Sequence, residues 1–176
     1  MVALLRGVNV GGRTRLAMTD LRAAAEAGGG RNVRTYIQSG NVVFSTSARS
    51  TSAVAGRLEK ALAETTSVRP AVTVRTREQL RAVVEANPYL RRGEDVAHLH
   101  VLFTGGDAKA SLATVDLGRY APEEAAVIGQ EVHLLLPSGV GRSKLAADLS
   151  RQKVPSGTMR NWRTLTELLA MAEATD

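Results

Sequence analysis

The feature that most constrains this chain is the way short apolar runs alternate with amphipathic stretches over its first 76 residues. Val2 to Val8 is apolar apart from Arg6 and Gly7, the pattern of a strand covered on both faces. Met18, Leu21, Ala24 and Ala25 share one helical face, and Gly28-Gly29-Gly30 stops that helix. Val33 to Ile37 and Val42 to Ser45 read as short strands joined by Gln38-Ser39-Gly40-Asn41, where Gly-Asn predicts a tight type II′ hairpin. Val54, Leu58, Ala61 and Leu62 mark a second helix, and Ala71 to Arg75 a last strand. The order β-α-β-β-α-β places the chain in the α+β class.

A helical junction follows. Thr76-Arg77-Glu78-Gln79 has capping-box spacing, Leu80, Val83 and Val84 form the apolar stripe behind it, and Asn87-Pro88 ends it. The polar run Arg91-Arg92-Gly93-Glu94-Asp95 is the expected boundary. The chain is therefore read as a first subdomain at 1–76, a connecting helix and loop at 77–95, and a second α+β subdomain at 96–176 with C-terminal helices. Within the last, a strand is expected at His98 to Phe103 and a helix near Ala108 to Val115. A hairpin about Gly129-Gln130 follows, then helices over about 142–149 and 159–172. This is roughly β-α-β-β-α, a second half similar to the first.

Charge says more once it is located. Of a net +6, residues 1–35 carry six arginines against Asp20 and Glu26, residues 36–138 balance, and residues 139–176 carry six cations against four acids. Clustering at the two ends favours an anionic partner. The sequence contains no cysteine, so disulfides and thiolate chemistry are excluded. No apolar run approaches the ~20 residues of a bilayer span, and no signal peptide is read, so a cytoplasmic protein without membrane contact is expected.

Three segments concentrate chemistry. Arg6-Gly7-Val8-Asn9-Val10-Gly11-Gly12-Arg13 is a glycine loop between guanidinium groups, though its spacing is neither a dinucleotide fingerprint nor a P-loop. Gln38, Ser39 and Asn41 gather hydrogen-bonding groups at the hairpin turn, a placement turn preference alone also explains for Ser and Asn. Arg142, Ser143, Lys144, Arg160 and Asn161 fall at two expected helix starts, where cations oppose the helix dipole unless an anion sits there. Catalytic patterns are thin: His98 and His100 lack a carboxylate at matching spacing for a metal, and adjacent Ser143 and Lys144 do not face each other. No metal and no cofactor are expected.

Taken in order, Ala3-Leu4-Leu5-Arg6-Gly7-Val8-Asn9-Val10-Gly11-Gly12, Arg34-Thr35-Tyr36-Ile37-Gln38-Ser39-Gly40-Asn41-Val42-Val43-Phe44, Gly141-Arg142-Ser143-Lys144-Leu145 and Arg160-Asn161-Trp162 resemble the bacterial family filed as domain of unknown function 1697. The resemblance spans nearly the whole chain. It implies two ferredoxin-like subdomains packed together, and it brings no activity with it. The reading that joins residues and resemblance is a protein that binds a phosphate-bearing small molecule or a nucleic acid in a basic cleft between the halves. Arg6, Arg13, Arg142, Lys144 and Arg160 would supply charge there. Asn9, Gly11, Gly12, Gln38, Ser39, Asn41, Ser143 and Asn161 would supply backbone and side-chain hydrogen bonds. An enzyme acting on a small phosphorylated or nucleotide substrate, and a protein-interaction module, are the alternatives.

Overall fold

The computed structural model describes residues 1–10, 15–151 and 157–175. Contacts divide the chain into two compact units, Met1–Arg81 with Glu167–Asp176, and Ala82–Thr166. The last ten residues thus count with the first unit, although the sequence pattern assigns them to the second.

The first unit contains β1 (Val2–Leu5), α1 (Met18–Ala27), β2 (Arg31–Tyr36), β3 (Asn41–Ser45), α2 (Thr51–Thr65) and β4 (Val72–Arg75), and the chain leaves it through α3 (Arg77–Glu85). Its sheet has the order β2-β3-β1-β4, antiparallel throughout. Ala3, Leu5, Val42, Phe44, Val72 and Val74 pack against Leu21, Ala24 and Ala25 of α1 and Val54, Leu58, Ala61 and Leu62 of α2. Full burial of a leucine such as Leu5 contributes about 2 kcal/mol. All four residues of β1 are buried, as expected of a strand covered on both faces. The capping box forms as its spacing requires: the Gln79 amide donates to Thr76 Oγ1 at 3.1 Å, and the Thr76 amide to Gln79 Oε1 at 2.9 Å.

The second unit opens with α4 (Pro88–Arg91), which Asn87 caps, so Asn87-Pro88 ends one helix and begins another. Then come β5 (Leu99–Thr104), α5 (Ala108–Leu112), β6 (Glu124–Ile128), β7 (Glu131–Leu135), α6 (Lys144–Arg151), β8 (Gly157–Asn161) and α7 (Trp162–Glu173). The sheet order β6-β7-β5-β8 repeats that of the first unit position for position. Residues 157–161 are the fourth strand, paired with β5 from His100↔Asn161 to Thr104↔Gly157, so the last helix, expected from about 159, begins only at Trp162. The strand hides from pattern reading because its two buried positions are Thr158 and Arg160, both polar.

The matching registers expose a repeat in sequence as well. Arg75 pairs with Val2 and Thr73 with Leu4; Arg160 pairs with Val101 and Thr158 with Phe103. Each fourth strand thus carries a Thr-x-Arg in the same register, with both side chains buried on the strand face opposite that of Val74 in β4 and of Met159 in β8. Each guanidinium Nη1 donates to the carbonyl of the preceding residue, Val74 at 3.0 Å and Met159 at 2.9 Å.

Candidate functional site

The loop after β1 and the β2-β3 turn meet at one end of the first sheet. Pairing stops at Tyr36↔Asn41, so four residues close the hairpin where a two-residue type II′ turn was expected. Ile37 and Gly40 both take left-handed backbone, at φ +46° and +74°. Only glycine fits at position 40: a Cβ there would run into Val8 Cγ2 and lie 2.8 Å from Leu5 Cβ. The Leu5 amide donates to the Gly40 carbonyl at 2.8 Å, and the Arg6 amide to the carbonyl of Ala71 at 3.0 Å.

Asn9 locks this arrangement. Its Nδ2 donates to the carbonyls of Gln38, at 2.7 Å, and Leu16, at 2.9 Å, while its Oδ1 accepts the Leu16 amide at 3.0 Å. The side chain therefore holds the loop together. Asn41, fully buried, does the same for the turn, donating to the Tyr36 carbonyl at 3.0 Å and to Ser39 Oγ at 2.9 Å. Arg6 is half-buried, and Arg15 and Gln38 are exposed. Gly11, Gly12 and Arg13 lie outside the described residues.

The same loop leads into α1, and α1 starts differently from every other described α-helix. Ser50 caps α2, Thr76 α3, Asn87 α4, Asp107 α5, Ser143 α6 and Asn161 α7. The N-cap of α1 is Ala17, which makes no side-chain cap bond. Asp20 lies in its first turn. The missing Ser, Thr, Asp or Asn before Met18 was readable in the sequence, and so was Arg15.

The second-unit candidates stand otherwise. Arg142 belongs to a 3-10 turn at Val140–Arg142, and α6 begins only at Lys144. Ser143 is buried and its Oγ accepts the Ala146 amide at 2.8 Å. The Leu145 amide donates to Glu123 Oε2 at 2.9 Å, so the protein's own carboxylate occupies the place expected for an anion. Arg142 and Lys144 are exposed. Arg160, expected in a helix turn, lies in β8, where burial pushes its guanidinium down to about 10. Asn161 Oδ1 accepts the Thr164 amide at 2.8 Å.

The candidates thus fall into two groups. Arg6, Asn9, Gln38, Ser39 and Asn41 share the end of the first sheet beyond β1. The segment 142–144 and Asn161 follow β7 and β8, which end where β5 begins, so in the second sheet they correspond to the start of β1 rather than to its end. A separate surface cavity of about 660 Å³ in the first unit is lined by Phe44, Thr46, Arg49, Thr76 and Arg77 among others. Among the described residues no three His, Asp or Glu side chains cluster as a metal site, and no helix is long and apolar enough to cross a membrane. His133 is fully buried with neither ring nitrogen hydrogen-bonded, and desolvation pushes its pKa down to about 4.

The model of a family described as a protein of unknown function, DUF1697, matches residues 1–133. Among solved structures, that of conserved bacterial protein SP0830 from Streptococcus pneumoniae aligns with a TM-score of 0.78 at 25% identity, covering 97% of each chain. No curated protein matches the chain.

Proposed function

The chain belongs to the DUF1697 family of proteins of unknown function, and from that premise we propose that it binds a phosphate-bearing ligand, a nucleotide or nucleic acid, at the loop between β1 and α1. The observation that carries this reading is the arginine-flanked loop, fixed by Asn9, that runs into the one described α-helix whose N-cap residue makes no side-chain hydrogen bond. A helix N-terminus whose N-cap residue offers no side-chain acceptor favours an anion, and Arg6 and Arg15 add the charge that a phosphate pairs with. The repeated element order and strand order support reading each unit as ferredoxin-like. The reading moves weight away from 142–144, because Glu123 and Ser143 serve the amides of α6. Titration with inorganic phosphate and nucleoside monophosphates at rising salt tests it: saturable binding that salt weakens supports it, and no binding to either overturns it.

A further inference from the structure

The two large aliphatic side chains exposed at this loop end sit one residue from either partner of the Asn9–Gln38 hydrogen bond: Val10 is 67% exposed and Ile37 50%. Ile37 also holds φ +46°. Left-handed backbone costs an L-residue about 1–2 kcal/mol, and a β-branched side chain is among the least suited to it. Asparagine or glycine would take that conformation more cheaply. Burial does not compensate, since half of the residue faces solvent. The hairpin does not need it either, because the Tyr36↔Asn41 pair and the packing of Gly40 close the turn.

Next to Ile37 in the turn is Gln38, exposed and without a side-chain hydrogen bond among the described residues. Its amide offers donor and acceptor together. A small apolar surface, an amide that can read a polar edge, and the arginines of the β1–α1 segment match one ligand chemistry: an anionic phosphate joined to a flat ring with an apolar face and a hydrogen-bonding rim. We propose that Val10 and Ile37 form a shelf for the base of a nucleoside phosphate and that Gln38 hydrogen-bonds the edge of that base. The proposal rests on the phosphate reading above and narrows its ligand from any phosphate ester to a nucleotide, free or within a strand.

The test compares AMP, CMP, ribose 5-phosphate, inorganic phosphate and a 5′-phosphorylated single-stranded oligonucleotide by isothermal titration on wild type, Ile37→Gly and Gln38→Ala. Thermal melts of the variants serve as the control for folding. Nucleotides are expected to bind about tenfold tighter than ribose 5-phosphate, the scale set by covering part of an isoleucine. Ile37→Gly should remove that advantage while leaving phosphate affinity unchanged, and Gln38→Ala should narrow the difference between AMP and CMP. Saturation by mononucleotides marks a free nucleotide as the ligand; binding by the oligonucleotide alone, still weakened in Ile37→Gly, marks a strand. Ribose 5-phosphate binding as tightly as AMP, with Ile37→Gly silent, overturns the shelf and leaves the phosphate site standing. Absence of binding by all five probes overturns the phosphate reading along with it.

Discussion

Asn9 donates to the carbonyl of Gln38 at 2.7 Å, and the same amide closes a two-way exchange with the backbone of Leu16. One side chain therefore fixes the glycine loop against the hairpin turn from a left-handed backbone at φ +56°. Asn9→Ala removes the bonds and keeps the strained backbone, and should lower unfolding stability by about 2 kcal/mol in urea melts. Asn9→Gly loses the same bonds without the strain and should lose measurably less. Equal losses would show that the backbone conformation contributes nothing.

Ser143 is predicted to be a structural cap rather than a ligand contact. Its hydroxyl serves the Ala146 amide inside the protein, so Ser143→Ala should cost about 1 kcal/mol of stability. Phosphate affinity should stay at the wild-type value. A variant of wild-type stability with weakened binding would return Ser143 to the ligand set.

Stability should fall on mild acidification because of His133. The folded protein keeps its imidazole neutral down to about pH 4, whereas the ordinary value is 6.5. Between these limits the unfolded chain binds a proton that the folded one does not, so stability rises with pH through the window and is lost as pH falls. The loss amounts to about 3 kcal/mol at most. His100, also lowered by burial, adds in the same direction. The first unit places Val43 opposite Val2, as the second places His133 opposite Val101, so His133→Val is the natural test. Its denaturant midpoints should vary less with pH between 4 and 6.5 than those of wild type; an unchanged slope would assign the acid sensitivity elsewhere.

Arg75 and Arg160 should behave alike. Each is buried in a fourth strand at the same register and bonded to the carbonyl behind it. Alanine at either position should cost about 2 kcal/mol or more, much of it from packing of the aliphatic stem. Thermal melts that show a large loss for one and none for the other would contradict the equivalence.

Much of the first unit was legible in the sequence because its apolar periodicity is intact: Val54, Leu58, Ala61 and Leu62 announce α2, and Thr76 with Gln79 announces α3. The fourth strand of the second unit was not, because Thr158 and Arg160 bury polar groups where the pattern asks for apolar ones. The candidate site was legible in part. Arg6, Asn9 and the hairpin polar residues do meet, yet spacing alone does not reveal that Asn9 and Asn41 use their amides on the backbone. Nor does it reveal that Glu123 reaches the start of α6 from 22 residues away. The strain at Ile37 exists only in φ, which no pattern of residue types displays.

The most direct measurement is the affinity of AMP, by calorimetry at low and at physiological salt, for wild type, Arg15→Ala, and Arg142→Ala with Lys144→Ala. Placement of the phosphate at the β1–α1 loop predicts binding that weakens with salt, falls about tenfold in Arg15→Ala, and is unchanged in the double variant. Binding untouched by Arg15→Ala and abolished by the double variant would contradict that placement.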